Sequence, residues 1–220
     1  MSTTTLAPRL HDVLRGASIQ QQITTMIDDL IARLPNSERM SSEERRGMIA
    51  RYTAVLEGNF IYWMSAAYLA VKSEQVRPIL LENLHEEIRD AHPLMLRRFA
   101  VAAKAFPTDT DALEVDADLT KVRLFLGKLQ GVPIVLMMAF FEGFIQKFMS
   151  YLADLAAEQG SDERVYTDVH GVCDVEHTQE LFRALSLEMA HHPVEADADL
   201  FEGVELLRTL LQTIIFGPAK

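Results

Sequence analysis

Three polar residues late in the chain, His170, Asp174 and His177, stand at spacings i, i+4 and i+7. On a helix turning about 100° per residue they fall at about 0°, 40° and −20°, so two imidazoles and one carboxylate share a narrow face. Nitrogen and oxygen donors of this kind suit iron, manganese or zinc, whereas thiolate-rich sites need more than the single Cys173 of this chain. Two glutamates sit in apolar surroundings. Glu57 lies among Val55, Leu56, Phe60, Ile61, Trp63 and Met64, and Glu142 lies within the run from Ile134 to Phe148. An isolated carboxylate buried in such a setting costs several kcal/mol or keeps its proton, and a metal cation or an arginine removes that penalty. Each glutamate is followed by a glycine, Gly58 or Gly143, which weakens a helix by about 1 kcal/mol and points to a close helix contact or to ligand access.

The segment Glu82 to His92 supplies the matching donors of the first half. Val76, Leu80 and Leu84 form an apolar stripe whose next position is Glu87, with Glu86 about 100° away. Glu82-x-x-His85 is a competing pair of the type used by helical-bundle diiron sites. A weak internal repeat adds a third criterion. Leu56-Glu57-Gly58-Asn59-Phe60-Ile61 resembles Phe141-Glu142-Gly143-Phe144-Ile145 at an offset of 85, and His85/His170 and His92/His177 share that offset. Two halves related by a pseudo-twofold axis would select His85 and His92. The charge balance of a dinuclear site favours Glu87 with His92. Glu82, His85, Glu86 and Glu87 all stay open as the first-half ligand.

The elements that must position these groups are helical throughout, with almost no strand signal. Amphipathic periodicity predicts helices over Ile19–Leu34, from Ser41-Ser42-Glu43-Glu44 to about Val71, and from Pro78 to Arg89. A further helix runs from His92-Pro93, read as cap and first-turn proline, to about Phe106. Pro107 to Asp118, rich in aspartate, is expected to be an acidic loop, and it lacks the central glycine and final glutamate of a calcium-binding EF-hand. Later helices are expected at Leu119–Leu129, Pro133–Leu155, Asp168–His191 and Ala198–Ile215. The 220 residues therefore predict an all-α single domain, 1–220, of seven to nine helices.

The order Glu57, then Asn83-Leu-His-Glu-Glu87 with His92-Pro-Leu-Met-Leu-Arg-Arg-Phe99, then Glu142, then His170-x3-Asp174-x2-His177 resembles the haem-oxygenase-like diiron oxidases over roughly residues 50–180. In place of the family's glycine after the paired acids this chain has Ile88-Arg89. The resemblance implies a haem-oxygenase-like bundle of about seven core helices. It also implies two irons cycling between Fe2+ and Fe3+, with Glu57, Glu87, His92, Glu142, His170, Asp174 and His177 as metal ligands. The implied activity is that of an O2-activating non-haem diiron oxidase or oxygenase, with O2 as co-substrate and an external electron donor. Its substrate would be a small amine-, amino-acid- or fatty-acid-like molecule in natural-product biosynthesis, and N-oxygenation, desaturation and carbon–carbon cleavage stay open as outcomes.

Two other classes fit part of the pattern. One is a cofactorless relative resembling pyrroloquinoline quinone synthase or the TenA thiaminases, with histidines doing acid–base work. The other is a non-catalytic helical binding protein. Cys173 has no TenA-like surroundings and reads as a core residue, His191-His192-Pro193 reads as a helix end, and the segment around His11 gives no support for a proximal haem ligand. The donor set does not separate iron from manganese.

The net charge of −11 argues against a nucleic-acid partner. The longest uncharged run, Leu129 to Phe141, has 13 residues, short of the roughly 20 of a membrane span. With no readable signal peptide and one cysteine, a cytoplasmic enzyme is expected. The apolar stretch Leu206 to Phe216 either packs on the bundle or joins two chains as a homodimer.

Overall fold

The computed structural model describes residues 10–192 and 199–218, with side chains from 18 onward. The expectations for the His11 side chain, for Pro193 and for a last helix starting at Ala198 fall outside them. The described residues form eight α-helices and a 3-10 turn at Ser37–Arg39, with no strand among them: α1 Leu10–Ile31, α2 Ser42–Ala70, α3 Arg77–Arg89, α4 His92–Ala102, α5 Asp109–Leu126, α6 Gly131–Glu158, α7 Val165–His191 and α8 Glu202–Phe216.

The bundle is organised around α6, which apart from Glu142 is apolar on every side from Val132 to Ile145 and therefore has to be enclosed. Its composition and length would suffice to cross a bilayer, but 89% of its most apolar window is buried inside the protein. Helices α7, α2, α8 and α1 pack around it. The apolar stretch Leu206 to Phe216 lies in α8, where Leu207, Leu210, Leu211, Ile214 and Ile215 are buried against the chain itself.

Local chemistry sets the helix ends. Ser41 caps α2 through a reciprocal box: Glu44 N–H donates to Ser41 Oγ at 3.2 Å, and Ser41 N–H donates to Glu44 Oε2 at 2.7 Å. At the far end of α2, Lys72 and Ser73 N–H groups donate to the buried carboxylate of Glu188 on α7 at 2.9 and 3.0 Å, tying the two helices together.

Two expectations require correction. The acidic segment Pro107 to Asp118 is not a loop beyond its first residues, because α5 begins at Asp109. Thr108 and Asp111 form a second capping box there, the early aspartates complement the helix N-terminus, and Val115, Leu119 and Val122 continue a buried stripe. Burial opposes the charge of Asp111, but hydrogen bonds from Arg46 and Thr108 outweigh it and hold the carboxyl below its usual range. Likewise His92 is not the cap of α4 but its first helical residue; Ala91, at φ 56°, occupies the cap position. The His92 imidazole is engaged by Glu87 instead.

The sequence repeat also divides into two different uses of glycine. Gly58 sits at φ +101° in a break of α2 that begins with Glu57 at ψ 85°. Gly143 stays within α6 and admits α1, since a Cβ there would stand 2.9 Å from Ile27 Cδ1, the end of a flexible side chain. Gly58→Ala is thus expected to lower unfolding stability by about 1–3 kcal/mol in urea titration through backbone strain. Gly143→Ala, which needs only a rotation of Ile27, is expected to cost less. Equal effects would contradict the distinction.

Candidate metal centre

Helices α3, α4, α6 and α7 converge on one buried region. Glu87 on α3, His92 at the start of α4 and His170 on α7 present ligand atoms within 4.8 Å of one another, and all three side chains are buried. His92 Nδ1 donates to Glu87 Oε1 at 2.7 Å, and His170 Nε2 stands 3.8 Å from the same oxygen. Cys173, Asp174 and His177 form a second group on α7, again within 4.8 Å of one another. Glu142 on α6 joins the two. It shares a narrow cavity with Glu87, His92 and His170, and its Oε2 lies 4.0 Å from His177 Nδ1. Leu56, Phe60, Leu96 and Ile145 form the apolar wall of that cavity.

The second nitrogen of each α7 imidazole is anchored away from the cluster. His170 Nδ1 donates to the Tyr166 carbonyl at 2.8 Å, one helical turn earlier, leaving Nε2 bare towards Glu87. His177 Nε2 donates to Glu86 Oε2 at 2.7 Å, leaving Nδ1 bare towards Asp174 and Glu142 at 3.8 and 4.0 Å. Such outer hydrogen bonds fix the tautomer and ring orientation of metal-binding histidines. Asn83 Nδ2 orients Glu142 by donating to its Oε1 at 3.0 Å. Tyr166 packs its ring on His170 at 4.3 Å between centroids, and its hydroxyl pairs with that of Tyr52 at 2.8 Å.

The electrostatics of the cluster are under tension. Burial raises Glu142 to a pKa of about 7 despite the opposing influence of His177 and Asn83. Burial and the neighbouring Glu142 push Asp174 well above its usual range. On the other side of the cavity, burial opposes ionisation of Glu87, but His170 and His92 prevail and hold it low. Asp174 Oδ2, His177 Nδ1 and Asn83 Oδ1 are buried without a hydrogen-bond partner among the described residues. Buried acids without counter-charge and bare imidazole nitrogens aimed at them, with Cys173 kept as a thiol beside Asp174, leave a nitrogen-and-oxygen donor set that fits divalent iron or manganese. The Cys173 thiol is pushed up by burial and by Asp174, to which it donates, so it is a poor nucleophile.

The chain matches a family model described as iron-containing redox enzyme over residues 49–211, a span that holds every one of these residues. It belongs to the iron-containing redox enzyme family. A search of curated proteins and of solved structures finds no match to this chain. The haem-oxygenase-like bundle of this iron-containing redox enzyme thus places its polar cluster within the matched region, and α1 lies outside it.

Of the seven residues that the resemblance implies as ligands, the fold gathers six: Glu87, His92, Glu142, His170, Asp174 and His177. Glu57 is in neither close group; it sits at the break of α2, is 31% exposed at its side chain and faces Arg97 at 3.6 Å. Among the first-half alternatives, Glu82 and His85 are exposed, Glu87 is buried in the cluster, and Glu86 supports His177 from outside it. Asn83, Tyr166 and Tyr52 were not legible as functional residues. Asn83 stands four residues before Glu87 and Tyr166 four before His170, so helical stacking on the ligands was the available signal for both.

A pH dependence follows for the metal-free protein. Folded Glu142 keeps its proton up to about 7, whereas an unfolded glutamate releases it near 4.5. Between these values the unfolded chain binds fewer protons, so stability falls as pH rises, and Asp174 adds the same sign. The thermal midpoint of the metal-free chain is expected to drop across that window, and Glu142→Gln to flatten the drop. A midpoint that rises with pH, or a variant with the full drop, would contradict the electrostatic reading.

Proposed function

We propose that this protein is an O2-activating oxidase or oxygenase with two non-haem irons, acting on a small amine-, amino-acid- or fatty-acid-like substrate in natural-product biosynthesis. The observation that carries the reading is the convergence of three carboxylates and three imidazoles from four helices in an apolar core, with bare donor atoms facing inward. Glu87, His92 and His170 would hold one ion, Asp174 and His177 the other, and Glu142, between the groups, would serve both. When bound, iron supplies the one-electron chemistry towards O2 that protein side chains lack.

The chain's own residues supply the rest. Glu86 and the Tyr166 carbonyl hold the outer nitrogens of His177 and His170, so that the other nitrogen of each ring is turned towards the carboxylates. Asn83 holds one Glu142 oxygen and leaves the other towards His177. Glu142 and Asp174 release their protons as a cation takes over their compensation, so metal uptake is coupled to proton loss. Leu56, Phe60, Leu96 and Ile145 exclude water from the cavity beside them and leave an apolar face for substrate. The low charge density of that wall is consistent with a reaction at carbon or nitrogen that bulk water would otherwise quench. An external electron donor and a cytoplasmic setting complete the proposal.

Oxygen uptake by the iron-loaded protein with a reductant tests the reading. His177→Ala and Asp174→Asn should each abolish it while leaving helical circular dichroism intact. Glu86→Gln should lower iron affinity by about 10- to 100-fold, as expected for a group that orients a ligand. Full oxygen uptake in either of the first two variants would overturn the site.

A further inference from the structure

The apolar cavity beside the cluster holds only about 20 Å3, the room of a single water molecule. A larger molecule reaches the buried donors from this side only if a wall moves. Helix α6 contributes Ile145 to the wall, α4 contributes Pro93 and Leu96, and α2 contributes Leu56 and Phe60. The α2 wall differs from the others in its backbone. Leu56 and Phe60 flank Glu57 and Gly58, whose ψ of 85° and φ of +101° interrupt the helix between them.

The interruption is open on its outer side and fastened at both edges. Gly58 is exposed, and among the described residues no other element comes within 4 Å of the position its Cβ would take. Beyond it, Arg123 on α5 donates two N–H groups to Asn59 Oδ1 at 3.1 and 2.9 Å. Asn59 Nδ2 in turn donates across the break to the Val55 carbonyl at 2.7 Å. Facing α4, Glu57 meets Arg97 at 3.6 Å, and Arg97 also lies over the Phe106 ring, 5.1 Å from its centre. Glu57 adjoins Leu56 and Arg97 adjoins Leu96, so this pair sits on the seam between two walls of the cavity. The Arg97 side chain is 55% exposed, and an ion pair so open to water is a weak fastener.

We infer that the break of α2 is a gate to the cavity and that the Glu57–Arg97 pair is its latch. Gly58 lets residues 56–58 turn outward because it carries no Cβ to restrict its backbone. Asn59 stays anchored to α5 during that turn. Parting the pair opens the seam between Leu56 and Leu96 to small neutral molecules. Such openings belong to the least stable parts of a fold, where few contacts must break. The gate requires the cavity and no particular reaction, so it does not rest on the oxidase reading.

The single tryptophan of the chain reports on the same place. Trp63 is fully buried and shares Phe141 with Phe60, at ring distances of 5.2 and 5.7 Å. Hydrogen exchange across residues 54–61 and acrylamide quenching of Trp63 fluorescence test the gate in the full-length, iron-loaded protein, with bound iron counted on each sample. Glu57→Gln, Arg97→Gln and the double variant should each raise exchange and quenching by about two- to fivefold, the span expected of one exposed ion pair. The double variant should do no more than either single one, because all three remove the same contact. Lys147→Gln, which parts an exposed pair with Asp28 between α6 and α1, should change neither readout. Unchanged exchange and quenching in the double variant, or an equal rise in Lys147→Gln, would overturn the gate. So would faster exchange with unchanged quenching, since the segment would then move without opening the cavity. Loss of iron in Glu57→Gln but not in Arg97→Gln would overturn it as well, because Glu57 would then be a metal ligand and not a latch.

Discussion

Three carboxylates in a dry core cannot all ionise without a counter-charge, and much of this bundle can be understood from that constraint. Glu87 has two imidazoles beside it and is held in its charged form. Glu142 and Asp174 face each other with too little compensation, and burial drives both upward. Glu188 makes the contrast. It is equally buried, yet it accepts two backbone N–H groups at 2.9 and 3.0 Å and so serves a purely structural tie between α2 and α7. Burial alone therefore does not set an acid apart; what distinguishes Glu142 and Asp174 from Glu188 is that their neighbours are other acids and unpartnered imidazoles.

The fold is arranged to sustain that tension. An all-apolar α6 carries Glu142 into the centre, and α7 alongside it sets His170, Asp174 and His177 on one face. The turn between α3 and α4, with Ala91 in the left-handed region, folds His92 back onto Glu87. Glu86, Asn83 and the Tyr166 carbonyl lock the orientation of the inner groups from behind. Preorganisation of this sort keeps the donors aimed at one another before any cation arrives. An apolar cavity beside Leu56 and Phe60 and an acidic groove beside Glu86 border the same cluster.

Much of this was legible in the residues because helical periodicity is a strong signal and the i, i+4, i+7 spacing of His170, Asp174 and His177 has one natural geometry. The apolar stripe Val76, Leu80, Leu84 led to Glu87, whereas the sequence offset of 85 pointed both to His92, which lies buried in the cluster, and to His85, which is exposed. Offsets between halves describe ancestry or chance, but burial follows the stripe. The acidic segment at Asp109 misled because its charge outweighed its capping pattern, Thr108 to Asp111, which starts α5. Glu57 shared its motif with Glu142, yet the positive φ of Gly58 breaks α2 there and leaves the carboxylate facing Arg97. Backbone breaks of this kind depend on packing between α2 and its neighbours, which no local pattern encodes.

The central proposal is that the unbalanced acids and unpartnered imidazoles of this one cluster hold two cations. The most direct measurement is the number of ferrous ions retained per chain after anaerobic loading and desalting, with the protons released on loading recorded in parallel near pH 6. The account predicts about two irons per chain, both groups of donors being filled, and a net release of protons as Glu142 and Asp174 ionise. Retention of no iron, or of iron without proton release, would contradict it.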